Sequence, residues 1–123
     1  MSLSTNLGRV RSILGAKECV AHWWAQRLTA IILIPLILWL VINIILLAGA
    51  DLREVQAWVG DPITSVLLTV MFIAMFYHMQ LGLQVVIEDY VYSERLKVAF
   101  IFSVKSMAMF LAAISLFAIL KIV

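Results

Sequence analysis

The sequence predicts an all-α membrane protein, three transmembrane helices in an up-down-up bundle with the N-terminus in the cytoplasm. The first observation behind this is composition. Of 123 residues, 65% are hydrophobic and 13% charged, against roughly 45–50% and about 25% in an average soluble domain. So short a chain has too poor a surface-to-volume ratio to hide that much apolar surface from water, and disorder requires the opposite composition. The second is distribution. Leu28–Ala50 and Pro62–Ile87 carry no formal charge, and Val98–Leu120 carries only Lys105. Each stretch exceeds the about 20 residues that cross a bilayer at 1.5 Å per residue. Lipid offers no partner to free backbone groups, so the spans must be helices.

The expected organisation is a single membrane-anchor domain over 1–123, with a polar N-terminal segment at 1–27 and spans at about 28–50, 62–87 and 98–120. Residues 1–14 read as a loose tail. Ala48-Gly49-Ala50 has the look of a signal-peptide cleavage site, but the apolar run before it outlasts the about 7–15 residues of a signal peptide. The length leaves no room for a nucleotide-binding or flavin domain beside the spans. The single cysteine, Cys19, excludes an internal disulfide or a thiolate metal cluster. No Gly-rich phosphate loop, CxxC, HExxH or GxSxG motif occurs, and a net charge of +2 is too small to argue for nucleic acid.

Orientation follows from the cations. Arg9, Arg11, Lys17 and Arg27 precede the first span, and Arg95 and Lys97 lie in the second loop. The first loop has only Arg53 and the C-terminus only Lys121. The positive-inside rule puts the N-terminus and second loop in the cytoplasm, and Lys105 can snorkel to that surface. Trp23, Trp24 and Trp58 fall at the expected interfaces, as an aromatic belt does. Pro35 interrupts the hydrogen-bond ladder of helix one. Asp61-Pro62 reads as the cap and first position of helix two.

His78 is the principal candidate for chemistry. It precedes the next charge, Glu88, by ten residues, about 15 Å of helix, which places it near the bilayer midplane. Ionisable groups at that depth are costly and are usually functional. Two roles are open to it, an interhelical hydrogen bond and a haem-iron ligand. His78, Gly82, Val85 and Asp89 share one helical face; Gly82 serves either close helix packing or the approach of a planar macrocycle. His22 lies in the interfacial segment, so a second axial ligand would come from another subunit. The stripe Met71, Met75, Met79 reads as packing. Asp89 and Tyr90 stand at the end of helix two, where acidic groups oppose the helix dipole; a tyrosine hydroxyl beside a carboxylate suits a quinone carbonyl and proton transfer. Arg27 is open to two readings, a snorkelling anchor and a cation for haem propionates or a quinone headgroup.

Together these residues resemble the small haem-bearing D-type membrane anchor of succinate dehydrogenase, respiratory complex II, in its alphaproteobacterial form. The helix-two pattern H-x3-G-x6-D-Y is matched by His78, Gly82, Asp89 and Tyr90, and HWWAQRLTAIILIP, from His22 to Pro35, is similar to the start of the family's first helix. The resemblance covers roughly residues 15–97; helix three matches only in being hydrophobic. It implies that His78 is one axial ligand of haem b, with the other from a larger C-type cytochrome b anchor. It implies Gly82 and Arg27 in the haem pocket, and Tyr90 and Asp89 at the ubiquinone site. Flavoprotein and iron–sulfur subunits, holding FAD and the iron–sulfur clusters, would dock on the cytoplasmic face of a bacterial inner membrane and pass electrons from succinate to quinone. A fumarate reductase anchor working in reverse and a non-redox membrane scaffold are the alternatives.

Overall fold

The computed structural model describes residues 3–123; the first two positions of the expected N-terminal segment lie outside them. The chain forms four helices, α1 (Leu3–Leu46), α2 (Leu52–Gly60), α3 (Pro62–Tyr90) and α4 (Glu94–Ile122). No strand occurs among the described residues. α1, α3 and α4 are each long and apolar enough to cross a membrane.

α1 is 44 residues long, about 66 Å, roughly twice the hydrocarbon thickness. The first residues are therefore not the loose tail expected over 1–14, because the helix is already formed at Leu3. The stretch lacks proline, and Leu7, Arg9, Arg11 and Leu14 are strong helix formers. Gly8 and Gly15 each cost about 1 kcal/mol against alanine, too little to break the run. The helix also continues through Pro35. It stops at Leu46, earlier than the expected end near residue 50, and turns over Leu47–Gly49, where Gly49 takes φ +87°. That left-handed conformation suits glycine and is strained in other residues.

The loop expected between the first two spans contains α2. Asp51 and Glu54 start it with a reciprocal cap: the Glu54 amide donates to Asp51 Oδ1 at 2.8 Å and the Asp51 amide to Glu54 Oε2 at 3.0 Å. Asp61 then ends α2 and begins α3, accepting from the Thr64 amide at 3.1 Å with Pro62 at the first turn, as its sequence predicts.

α3 is the central helix. It packs against both α1 and α4, whose backbones do not approach each other among the described residues. Leu33 of α1, Leu68, Met71 and Ala74 of α3 and Ile119 of α4 form the core, with Trp39, Trp58 and Met75 packed around it. Trp58 is more than a belt residue. Its ring stacks on Trp39 at 5.7 Å between centroids, and its Nε1–H donates to Asn43 Oδ1 at 3.0 Å, which ties α2 to α1. Met79 faces outward, so the methionine stripe divides between core and surface. Short connections between successive spans make the fold up-down-up. The C-terminus of α4 returns beside α2, with Ile122 O near the Gly60 α-carbon. Outward faces of α1 and α4 present exposed Ile, Leu and Phe, as lipid requires.

Met71 is the most enclosed of these side chains, at 2% exposure. Met71→Ala is expected to destabilise the bundle by about 2 kcal/mol, the low end for such truncations, because an unfolded span in lipid loses less than one in water. Detergent-titrated unfolding followed by circular dichroism reads the shift.

Candidate functional site

The seam between α1 and α3 carries the functional candidates, and the antiparallel register of the two helices pairs them. At mid-span, His78 Nδ1 lies 2.9 Å from Thr29 Oγ1. Thr29 is 9% exposed, and its oxygen is also 2.7 Å from Ala25 O and 3.0 Å from Gln26 O one turn back. A hydroxyl has one proton, and a separation of 2.7 Å to a carbonyl is that of an O–H donor. The hydroxyl therefore donates to its own helix and accepts from His78 Nδ1–H. In the neutral imidazole the proton is then on Nδ1 and a lone pair on Nε2, for which no hydrogen bond occurs among the described residues. His78 also lines an apolar groove of about 420 Å³ with Ala30, Leu33, Ile34, Ile37 and Leu38, and is its single polar side chain. Both roles open to this residue are thus compatible in one ring: Nδ1 makes the interhelical bond and Nε2 is free to ligate.

One turn along the seam, Gly82 faces Gln26. A Cβ on Gly82 would sit 3.5 Å from Gln26 Nε2, so the glycine admits the glutamine side chain between the helices. Gly82 lines neither the groove at His78 nor the cavity beyond it.

That cavity, of about 540 Å³, opens at the end of the seam nearer the N-terminus of α1. His22, Trp23, Gln26 and Arg27 wall it from α1, and Gln84 and Glu88 from α3. The Arg27 guanidinium rests 5.2 Å above the Trp23 ring. Gln26 Oε1 is buried there and has no hydrogen-bond partner among the described residues. A buried acceptor without a donor costs about 1–3 kcal/mol, so this wall suits a ligand that can donate.

Asp89 and Tyr90 close α3 at the same end of the bundle but stand outside the cavity lining, both exposed, Tyr90 at 76%. Arg27 is brought to the cavity, whereas Asp89 and Tyr90 are presented outward at the helix terminus. Sequence reasoning passed over a polar ladder on α3. Gln80 Nε2 donates to Gln84 Oε1 at 3.0 Å, and Gln84 Nε2 to Glu88 Oε1 at 3.0 Å. The i, i+4, i+8 spacing of these residues inside an apolar span was the available signal. Thr29 and Gln26 carried no such signal, since their importance follows from the interhelical register. No group of three or more His, Cys, Asp or Glu side chains that could hold a metal occurs among the described residues; a single axial ligand needs no such group.

A family model described as succinate dehydrogenase/fumarate reductase transmembrane subunit matches residues 1–120. The chain belongs to this family. It is 38% identical over 90 residues to the succinate dehydrogenase hydrophobic membrane anchor subunit of Rickettsia bellii, covering 73% of this chain and 72% of the relative. It is 30% identical over 90 residues to the succinate dehydrogenase membrane anchor subunit of Reclinomonas americana, covering 71% and 75%. A third relative, the hydrophobic membrane anchor subunit of Rickettsia conorii, is 34% identical over 83 residues, covering 67% and 66%. No solved structure matches the chain. As a succinate dehydrogenase anchor subunit the protein is a multi-pass membrane component of an enzyme complex.

The seam geometry predicts a graded response at Gly82. Gly82→Ala is expected to assemble at the wild-type level, because its methyl meets Gln26 at ordinary van der Waals distance. Gly82→Leu is expected to push α1 from α3 and reduce the yield of monodisperse protein severalfold, measured by size-exclusion chromatography in detergent.

Proposed function

We propose that this anchor contributes one axial ligand to a haem b and part of the ubiquinone site of a succinate:ubiquinone oxidoreductase. The observation that carries the reading is the state of His78. It is 16 residues from the start and 12 from the end of α3, so near the middle of a span, with Nδ1 engaged by Thr29 and a lone pair left on Nε2. A histidine that ligates a metal commonly donates its other N–H to an oxygen. The apolar groove at His78 suits the face of a macrocycle and would exclude water beside it. These residues fit the group. Haem b, when bound, supplies a one-electron centre inside the bilayer. His78 would hold it from this chain, Gly82 keeps α1 and α3 close beside it, and Arg27 offers a cation for its propionates from the cavity wall. The second axial ligand would belong to a C-type cytochrome b anchor.

Asp89 and Tyr90 form the second part of the proposal. Their outward position suits a quinone pocket completed by other subunits. The Tyr90 hydroxyl would donate a hydrogen bond to a quinone carbonyl, and the Asp89 carboxylate beside it can take up and hand on a proton. The whole chain acts as one membrane-anchor unit. The cations before α1 and in the α3–α4 connection support a cytoplasmic side for both by the positive-inside rule, and the quinone end of α3 would then lie on the side where iron–sulfur and flavoprotein subunits would dock. FAD and the iron–sulfur clusters reside in those partners, and the Rickettsia relatives support a bacterial inner membrane.

Two measurements test this reading. Replacement His78→Leu is expected to abolish the b-type signal in the reduced-minus-oxidised spectrum of the purified complex while the chain still inserts; an unchanged spectrum overturns the ligand assignment. Replacement Tyr90→Phe is expected to slow quinone reduction severalfold, up to about tenfold, the effect of losing one hydrogen bond worth about 0.5–1.5 kcal/mol. Succinate oxidation by an artificial dye should continue, and equal loss of both activities would count against the quinone assignment.

A further inference from the structure

We propose that Thr29 is a positioning residue that fixes the tautomer and ring orientation of His78, and thereby sets the donor strength of its Nε2. The inference rests on the reading of His78 as an iron ligand and extends it to a residue of a different helix.

Three features of the geometry carry it. The hydroxyl proton of Thr29 is committed to its own helix, at 2.7 Å from Ala25 O with Gln26 O a second acceptor at 3.0 Å. The lone pairs of Oγ1 are what remain for His78 Nδ1 at 2.9 Å, so the imidazole can only donate there. A proton on Nδ1 leaves Nε2 as the basic atom. The back-bonded threonine is also constrained. Its branched side chain has few rotamers in a helix, its hydroxyl is anchored to the preceding turn, and it is 9% exposed. The acceptor is therefore in place before any ligand reaches the ring. The bond also spans 49 positions of sequence, so it orients the ring relative to α1, which lines the groove through Ala30, Leu33 and Ile34. An N–H donated to an oxygen raises the basicity of the opposite nitrogen. A more basic Nε2 favours the ferric over the ferrous state and lowers the reduction potential.

The test uses the purified complex with Thr29→Val, Thr29→Ser and His78→Leu. Valine keeps the shape of threonine and removes the acceptor, while serine retains the hydroxyl and removes a methyl group. Optical redox titration reads the haem potential, and electron paramagnetic resonance of the ferric haem reads the orientation of its axial ligands. The expected result is a higher potential and an altered low-field resonance in Thr29→Val, with Thr29→Ser at wild-type values. If Thr29→Val loses haem altogether while Thr29→Ser keeps it, the hydroxyl is again the decisive group and the inference holds. Equal changes in both variants assign Thr29 to packing and overturn it, as do wild-type potential and resonance in Thr29→Val. The control separates this inference from the reading beneath it. An unchanged spectrum in His78→Leu removes the ligand assignment and the role of Thr29 with it. A lost spectrum in His78→Leu together with a wild-type Thr29→Val keeps the ligand and rejects Thr29 alone.

Discussion

Lipid supplies no hydrogen-bond partners, and the rest of this structure depends on how α3 meets that constraint. A polar side chain inside a span must find its partner on its own helix or on a neighbour. α3 carries a histidine and two glutamines inside its span and is also the helix enclosed on two sides. Its mid-span histidine is satisfied across the seam by Thr29, and its glutamines are satisfied along the helix by one another and by Glu88. Central position and polar content belong together. The same histidine on α4, whose backbone does not approach α1 among the described residues, would lose the Thr29 partner. The helix that carries a titratable group at mid-span is therefore the helix the others cover.

Much of this was legible in the sequence. The charge-free runs placed three spans, and Asp61-Pro62 marked the start of α3 to the residue. His78 stood out because a titratable group in an apolar run has few harmless explanations. What escaped was of two kinds. The helical N-terminal segment and α2 were missed because polar residues around them suggested loops. The local signals, strong helix formers without proline and the Asp51–Glu54 cap, pointed the other way. Thr29, Gln26 and the cavity they border were missed for a different reason. A threonine in an apolar span is unremarkable by itself, and only the register of α1 on α3 sets it opposite His78. Membership of the family gives the role of the chain, but the partner of each polar atom comes from the packing.

Gly82 shows how closely the separate features are tied. It lies one turn from His78 on α3, and Gln26 lies one turn from Thr29 on α1. A small residue at Gly82 leaves Gln26 room between the helices, and that separation allows the Thr29–His78 bond at 2.9 Å. The same approach forms one wall of the cavity, since Gln26 borders it together with Arg27 and Gln84. A wedge at Gly82 would act one turn away in both directions, lengthening the bond at His78 and opening the cavity. The mid-span histidine and the cavity at the end of the seam are thus positioned by one helix pair in one register.

The outward placement of Asp89 and Tyr90 follows from the same arrangement. α3 meets α1 at His78 and Gly82, whereas Glu88, Asp89 and Tyr90 of its last turn are exposed. A tyrosine at 76% exposure buries almost none of its ring in this chain, so its energetic return must come from a surface the chain does not supply. The cavity beside it differs in this respect, because α1 and α3 alone build its walls. On the proposed reading, the anchor holds its haem ligand by contacts it makes itself, and offers its quinone residues on a face that other subunits complete. That division suits the chemistry. An axial ligand needs a fixed ring before the cofactor arrives, whereas a substrate that enters and leaves from lipid needs a site with an open side.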